Sequence, residues 1–455
     1  MSDGARIAAL VMRGVVSICM YFINSVTRAV NQLRFRAQIR QIHQNNEENR
    51  KVQTVQEPQK VSELLAGVSC GGKTLTTGDD VHDASPWRNV ITTHVVKRAR
   101  AGGMGAIVLH NGDDDLVARL QAAFGTDVMA MDERDPRLDL TCNQTMDDIV
   151  RFLMDEENAE RYRLPESSFQ YLETLLEMYR QAIGRMPCYQ TLVDMSAWNR
   201  EKVSTALDRW VRDGYLTTEE ALGYQEQLDE FVDGRHKLNR YLDMIRSNLG
   251  NVLAPASLPY RNRITVRSAL VRGKVLTIDL RRVHEFKPVL GMIGMLIEEA
   301  FSKCSAGLLV MDNISFGESP RMKRLMIERP VNLSVHLSMN DVVARCGSNG
   351  ELLNTLMSGS QCCFVLNHQN GHSCETLSKR FGTYEHVEVE MTNHLGGHKG
   401  HADIFGGSDS GTGFCTRREF RPRVQSGQIE QLPEGGIFMT KAGMNVIMHC
   451  PMEDA

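Results

Sequence analysis

Hydrophobic and polar positions divide the chain into two regions of mixed pattern with a purely helical region between them. In residues 61–142 and 254–455, short apolar runs alternate with segments of helical periodicity. This alternation predicts strands joined by helices, and therefore a parallel sheet. In residues 143–253 the strand signals disappear, and apolar residues such as Leu172 and Leu176 recur on one helix face. The predicted fold class is α/β, with a parallel sheet and an inserted all-α subdomain.

The individual elements follow from the same pattern. Strands are predicted at residues 61–70, 106–109, 127–131, 274–279, 307–311, 332–337, 362–366, 387–390, 436–439 and 446–448. Helices are predicted at residues 87–100, 116–124, 288–301, 350–358 and 371–381. Residues 394–416 are rich in Gly, His and Ser and have no periodicity, which predicts a mobile loop.

The amino-terminal segment has a different pattern. Residues 7–26 are almost continuously apolar and about long enough to cross a bilayer, although Arg13 and Asn24 are costly there. The basic residues that follow are Arg28, Arg34, Arg36 and Arg40. This asymmetry would place the body of a spanning protein in the cytoplasm. An amphipathic helix that lies on a partner or on the membrane surface fits the same pattern. Residues 1–43 are therefore interpreted as a membrane-associated or amphipathic helix, and the polar residues 44–60 as a linker.

Composition narrows the class of protein only slightly. The 455 residues are 42% hydrophobic and 24% charged, which is typical of globular proteins, and the length indicates two or three structural units. The net charge of -4 shows no global basic excess for nucleic acid, but it leaves a local basic face open. Eleven cysteines without a pairing framework indicate reduced thiols and an intracellular location.

One predicted strand ends in a carboxylate. Residues 307–311 are continuously apolar and are followed by Asp312. Such a run is typical of a buried central strand of a parallel sheet, and a residue at its carboxyl end lies where open α/β sheets bind ligands. In P-loop ATPases an aspartate in this position holds Mg²⁺. The alternative is a buried strand whose last residue only caps the next turn.

A candidate phosphate-binding loop lies upstream. Gly67, Gly72, Lys73 and Thr74 occupy every fixed position of the pattern G-x-x-x-x-G-K-[ST]. In a working loop, backbone N–H groups surround the phosphates, the lysine reaches the terminal phosphates and the threonine binds Mg²⁺. The following residues 75–86 contain Gly, Pro and three Asp instead of an immediate helix. A chance or decayed match therefore remains open.

The order of motifs resembles the cytoplasmic domain of type IV secretion and conjugation coupling proteins of the TraG/TraD type. The motifs are the candidate loop, the strands GKVLTIDL and LLVMDN, and the tail segments VNLSVHLSMNDVVARCGSNGELLNTLMSGSQCCFVLNHQNGHSCETLSKRFG and REFRPRVQSGQIEQLPEGGIFM. The likeness extends from about residue 61 to the carboxyl terminus and is most specific over residues 305–382. It implies a RecA-like P-loop domain in two parts, residues 61–142 and 254–455, around an all-α domain at residues 143–253.

The resemblance also implies cofactors, partners and a location. The family forms hexameric rings at the cytoplasmic face of the bacterial inner membrane and uses ATP with Mg²⁺. Its members recruit relaxase-bound DNA or effector proteins to the proteins of the secretion channel. A homo-oligomer that binds these partners, and DNA where it is the cargo, is therefore expected.

The residue roles implied by the resemblance come with departures from the family pattern. Thr74 and Asp312 would bind Mg²⁺, and Arg329 matches by spacing a family arginine that stabilises phosphoryl charge at a subunit edge, although a solvated arginine fits equally well. Asn313 stands where the family has a catalytic glutamate. An amide can orient a water molecule but cannot take its proton. The family's sensor glutamine has no counterpart near Ser338.

Three functions remain open on these grounds. The first is a coupling-protein-like component of a type IV secretion or conjugation system, with weak ATP binding or hydrolysis. The second is a catalytically inactive structural or recruitment subunit. The third is an active DNA translocase ATPase of the FtsK/HerA type.

Overall fold

The chain forms two compact units. One contains residues 1–53 and 381–425, and the other contains residues 54–380 and 426–455. The computed structural model describes residues 3–54, 60–66, 72–79, 84–154, 162–284, 286–303, 306–316, 319–328, 332–346, 350–396, 409–433, 436–441 and 444–449.

The larger unit is built on a ten-stranded sheet. The strands of the chain are β1 (Val52–Thr54), β2 (Lys73–Thr77), β3 (Gly105–His110), β4 (Val128–Met131), β5 (Val275–Asp279), β6 (Gly307–Asp312), β7 (Leu333–Met339), β8 (Cys362–Val365), β9 (Thr383–Gly396), β10 (Asp409–Pro422), β11 (Gly436–Lys441) and β12 (Met444–His449). The order in the sheet is β1-β12-β11-β8-β2-β7-β6-β3-β5-β4. The seven strands from β8 to β4 are parallel to one another, whereas β11 is antiparallel to both β8 and β12.

The helices of the described residues include those that connect the parallel strands and those of the insertion. They are α1 (Asp3–Arg50), α2 (Val61–Ala66), α3 (Ala84–Ala101), α4 (Asp114–Phe124), α5 (Met146–Leu153), α6 (Glu166–Ile183), α7 (Tyr189–Ser196), α8 (Arg200–Arg212), α9 (Thr218–Glu230), α10 (Val232–Asn248), α11 (Val266–Val271), α12 (Phe286–Ser302), α13 (Pro320–Glu328), α14 (Val342–Cys346), α15 (Gly350–Ser358), α16 (Gly371–Arg380) and α17 (Ser426–Glu430).

The central strands are buried on both faces, as their continuous apolar runs predict. Every residue of β3, β5, β6 and β7 is buried. One face packs on α3, where Trp87 and Ile91 join a cluster with Val108 of β3, Val310 of β6 and Phe364 of β8. The predicted fold class, α/β with a parallel sheet and an inserted all-α subdomain, is confirmed.

The helical insertion lies between β4 and β5 in the sequence and contains α5 to α10. Local signals specify several of its ends. The Thr217 hydroxyl accepts a hydrogen bond from the Glu220 backbone N–H, and the Glu220 carboxylate accepts one from Thr217 N, which completes the capping box at the start of α9. Aromatic contacts between Tyr179, Trp198 and Trp210 help to form the core of the insertion.

A buried ion pair closes the base of the insertion. Arg263 Nη1 lies 2.8 Å from Asp139 Oδ2, and both side chains are almost completely buried. Asp139 Oδ1 also accepts hydrogen bonds from the backbone N–H groups of Thr141 and Cys142. The second guanidinium nitrogen of Arg263 donates to backbone carbonyls, including that of Leu258. The pair therefore joins the segment that enters the insertion to the segment that leaves it.

The smaller unit combines α1 with the antiparallel pair β9 and β10. Near the end of α1, the Asn46 amide donates to Val387 O and its carbonyl accepts from Val387 N, each at 2.9 Å. The asparagine therefore pairs with the edge of β9 as a neighbouring strand would. Arg423 donates Nη1 to Arg50 O at 2.7 Å, which holds the last turn of the helix.

Three sequence predictions need correction. Residues 61–66 form the helix α2 and not a strand, and residues 67–70 lie outside the described part of the chain. Residues 44–50, assigned to a linker, continue α1, and residues 52–54 form β1. Residues 394–396 and 409–416, assigned to a mobile loop, belong to β9 and β10. The register of this pair, which joins Thr383 to Pro422 and Gly396 to Asp409, explains the last difference, because cross-strand hydrogen bonds order residues that lack an apolar pattern.

Candidate functional site

The strand order creates a switch point between β2 and β7. From β2 the chain passes through α3 to β3, on the β6 side of the sheet, whereas from β7 it passes through α14 and α15 to β8, on the other side of β2. Connections that leave neighbouring parallel strands in opposite directions open a crevice at their carboxyl ends, and open α/β sheets bind ligands there. The carboxyl ends of β2 and β7 therefore form the candidate site.

Four parallel strands bring polar residues to this edge. They are Thr77, Gly78 and Asp79 at the end of β2, Asp312 and Asn313 at the end of β6, Asn340 and Asp341 after β7, and His368 after β8. Asp312 and His368 are completely buried. Three of the eight residues are carboxylates, so the edge has acidic character.

The polar groups of this edge are largely bonded to one another. Thr77 Oγ1 accepts a hydrogen bond from Val342 N at 3.1 Å and lies 3.2 Å from His368 Nε2. Asp341 caps α14 by accepting from Val343 N at 3.0 Å, and its other oxygen accepts from the Ser373 hydroxyl of α16 at 2.7 Å. Burial lowers the pKa of His368 in spite of the opposing carboxylate of Asp341. These hydrogen bonds hold the residues at the edge of the crevice in fixed positions.

Asp312 occupies the position that the sequence predicts for it. It ends β6 in the centre of the sheet, and its Oδ1 accepts a hydrogen bond from the Ser338 hydroxyl of β7 at 2.8 Å. Its register partner on β7 is Ser338, whose own partner on β2 is Thr76. The role of Asp312 as a ligand of Mg²⁺ remains a prediction.

Asn313 stabilises the same edge of the sheet. Its φ of 53° lies in the left-handed region, which asparagine adopts more readily than most residues. Its backbone N–H donates to Ser338 O at 2.8 Å, and its side-chain oxygen accepts from Asn340 N at 2.7 Å. The side chain therefore ties the end of β6 to the turn after β7.

We expect Asn313→Glu to destabilise the protein by about 2 kcal/mol, without adding ATP turnover, because it combines left-handed strain with loss of this hydrogen bond. Asn313→Asp keeps the acceptor oxygen and the tolerance of positive φ, so its effect should stay below about 1 kcal/mol. Urea unfolding of the three proteins measures both values. An Asn313→Glu variant as stable as the parent, or one that gains ATP turnover, would contradict this assignment.

Lys73, predicted to bind phosphate, lies away from the carboxyl ends of β2 and β7. Lys73 and Thr74 do not lie between a strand and a helix but begin β2, and both are buried. Lys73 pairs with Val335, three positions before Ser338, so it lies about 10 Å from the level of Asp312 along the strands and two strands, about 10 Å, to the side. Gly72 lies against the end of the Gln361 side chain.

The Thr74 side chain is hydrogen-bonded to a buried histidine. Its hydroxyl lies 2.7 Å from His336 Nδ1, and the other ring nitrogen of His336 lies 3.1 Å from the Thr92 hydroxyl of α3. Oxygen ligands of one Mg²⁺ ion each lie about 2.1 Å from the metal, whereas Thr74 and Asp312 are two register positions and two strands apart. Thr74 and Asp312 are therefore too far apart to bind the same Mg²⁺ ion, and we derive no catalytic step through that ion.

The residues that connect β2 to α3 are acidic, whereas a phosphate-binding loop needs positive charge. Residues 78–83 read GDDVHD, with three Asp and no Lys or Arg, and residues 80–83 lie outside the described part of the chain. Arg88 of α3 is fully buried and donates Nη1 to Gly78 O. Phosphate binding needs cations and converging N–H groups. A connection rich in carboxylates repels nucleotide phosphates.

The remaining predicted residues cannot be placed. Gly67 and Arg329 lie outside the described residues, so their roles in nucleotide binding and at a subunit edge stay predictions. Arg88, Asp341 and His368 were not predicted. An acidic residue directly before the apolar pair Val342 and Val343 is a helix-cap signal that could have revealed Asp341. The sequence around Arg88 carries no comparable signal.

Comparison with known proteins gives similarity only at the level of structure. No protein-family profile and no curated protein matches the chain. A solved structure of the bacterial conjugative coupling protein TrwBdeltaN70 is 13% identical, with a TM-score of 0.48 and coverage of 85% of this chain and 86% of that one. The plasmid coupling protein TrwB in complex with the non-hydrolysable GTP analogue GDPNP is 12% identical, with a TM-score of 0.49 and coverage of 88% and 90%.

VirB4 of Thermoanaerobacter pseudethanolicus is a further similar structure. It is 11% identical, with a TM-score of 0.39 and coverage of 68% of this chain and 80% of that one. The TrwB structures are of coupling proteins, the class of protein that the sequence motifs resemble.

Proposed function

We propose that the protein is a membrane-associated recruitment subunit of a type IV secretion or conjugation system, with the fold of a coupling protein but without nucleotide turnover. Its partners would be the proteins of the secretion channel and a relaxase-bound DNA or effector cargo. The assignment to this kind of system is supported by the motif order of residues 305–382 within the observed parallel sheet.

One observation supports the absence of turnover. At the switch point between β2 and β7, the connection that would hold phosphates contains Asp79 and two further Asp but neither Lys nor Arg. Lys73, the candidate phosphate ligand, begins β2 and lies about three residues from the level of Asp312. Asn313 supplies no general base. The active translocase is therefore the weaker alternative.

We expect steady-state ATP hydrolysis on the order of 0.1 per second or less. The reason is that an ATPase with a kinase-like turnover rate becomes about 10²–10⁴-fold slower without a general base. Phosphate release measures this rate, and thermal unfolding with and without ATP and Mg²⁺ measures binding. Lys73→Met, which keeps most of the side-chain volume, should leave both results unchanged. Hydrolysis at several per second that Lys73→Met abolishes would contradict the proposal.

The recruitment role needs a cellular test. A bacterium that carries the secretion system and lacks this protein should lose cargo transfer. Transfer should return to the same level with the parent protein and with Lys73→Met, because turnover at that lysine is not required. Normal transfer without the protein would overturn the assignment to secretion, whereas failure of Lys73→Met alone, with the variant folded, would overturn the inactive state.

A further inference from the structure

Helix α1 carries a long apolar surface that the described part of the chain does not cover. It is one unbroken helix of 48 residues, and the segment that begins at Ile7 is long and apolar enough to cross a membrane by length and composition. None of its most apolar window is buried; Leu10 is 74% exposed and Phe22 is 69% exposed. At about 100° per residue, the exposed apolar residues between Ile7 and Val26 point in almost every direction around the axis. A helix that is apolar all round suits immersion in lipid better than a one-sided contact.

An arginine collar surrounds the same helix beyond the apolar segment. The collar consists of Arg28, Arg34, Arg36 and Arg40, all exposed. Measured from Arg28, the other three point about 240°, 80° and 120° around the axis, so the widest gap is about 120°. A stripe on one side would fit a groove or the backbone of a nucleic acid. Charges distributed around the axis fit surroundings that enclose the helix, as lipid headgroups enclose a spanning segment.

The position of the collar along the helix fits a headgroup layer. With a rise of about 1.5 Å per residue, Arg28 lies about 3 Å beyond Val26, Arg34 about 12 Å, Arg36 about 15 Å and Arg40 about 21 Å. The headgroup regions add roughly 5–8 Å to each side of the hydrocarbon core, and surface potentials extend about 8–10 Å farther at physiological salt. The first residues of the collar therefore lie within the field of the headgroups, and Arg40 lies just beyond it.

No acidic residue neutralises the collar along the helix. The sequence contains no Asp or Glu between Asp3 and Glu47. Beyond the collar, the helix is held to the rest of its unit by the hydrogen bond from Arg423 to Arg50 O and by the pairing of Asn46 with Val387. About 20 residues, or about 30 Å, of helix separate Val26 from this attachment.

We propose that the arginine collar of α1 binds the anionic headgroups of the bilayer that its apolar segment enters. The proposal rests on the membrane association included in the proposed function. Each basic residue near an anionic surface strengthens the interaction about fivefold. The contribution of each arginine should therefore decrease from Arg28 to Arg40.

The test uses the full chain reconstituted into phosphatidylcholine vesicles that contain a minority of phosphatidylglycerol. Electron spin resonance of spin-labelled lipids gives the preference of the protein for phosphatidylglycerol over phosphatidylcholine. The parent should prefer phosphatidylglycerol several-fold. Arg28→Gln with Arg34→Gln should reduce the preference to near one, and Arg36→Gln with Arg40→Gln should reduce it less. Arg209→Gln with Arg212→Gln, exposed on α8 of the other unit, makes the same change in net charge and should have no effect.

Each alternative outcome overturns the proposal in a different way. Equal association of the parent with both lipids shows that the collar does not select headgroups. Equal losses in all three variants show a response to net charge alone. Binding of duplex DNA that competes with phosphatidylglycerol assigns the collar to nucleic acid. A parent that does not enter vesicles at all overturns the membrane association itself, while the ATP hydrolysis assay still tests the proposed absence of turnover.

Discussion

Replacing Arg263 with alanine is expected to lower the free energy of unfolding by about 3–5 kcal/mol, the usual cost of leaving a buried charge without its partner. Asp139 would keep a buried carboxylate opposite an empty space, and the backbone carbonyls of Pro255 and Leu258 would lose the hydrogen bonds that Arg263 donates. Urea unfolding followed by far-ultraviolet circular dichroism measures the change.

Arg267→Ala is the matched control. Arg267 lies 3.9 Å from Glu299 with its side chain 40% exposed, so its removal should cost less than about 1 kcal/mol. If Arg263→Ala were as stable as Arg267→Ala, the ion pair would not hold the base of the insertion together. Because the pair joins residues 124 positions apart in the sequence, we also expect Arg263→Ala to increase proteolysis around the insertion.

Acidification from pH 7 to pH 5 is expected to cost the folded protein about 2 kcal/mol at His336 alone. Burial lowers the pKa of this histidine to about 3, whereas a histidine in the unfolded chain titrates near 6.5. Below pH 6.5, His336 therefore binds a proton in the unfolded chain but stays neutral in the folded chain until the pH approaches 3. The stabilisation is complete above pH 6.5 and is lost progressively as the pH falls toward 3.

The comparison of His336→Gln with the parent isolates this contribution. Between pH 7 and pH 5 the variant should lose about 2 kcal/mol less than the parent, whatever its stability at pH 7. His236→Gln, at an exposed position of α10, should follow the parent. Burial also lowers the pKa of His110 and of His368, so the parent and both variants should all remain acid-sensitive. Parallel curves for the parent and His336→Gln would contradict a buried neutral imidazole.

Local patterns in the sequence determined most elements of the sheet and of the insertion. The run that ends at Asp312 could be identified as a buried strand because its residues are apolar on both faces of the strand. The capping box of Thr217 and Glu220 depends only on residues three positions apart. The helix at residues 350–358 was predicted with its observed bounds. In each case the stabilising contacts are either between residues close in the sequence or are apolar contacts that any buried position provides.

Tertiary structure alone decided where the candidate chemistry lies. The motif at residues 67–74 specifies residue types, but burial between β7 and β8 makes Lys73 and Thr74 the start of a strand. Asn313 could be recognised as a departure from a catalytic glutamate, but its hydrogen bond to Asn340 depends on the pairing of β6 with β7. The partners Arg263 and Asp139, and Asn46 and Val387, are far apart in the sequence. No local pattern encodes such pairs, because the strand order and the chain crossings that bring them together are properties of the whole fold.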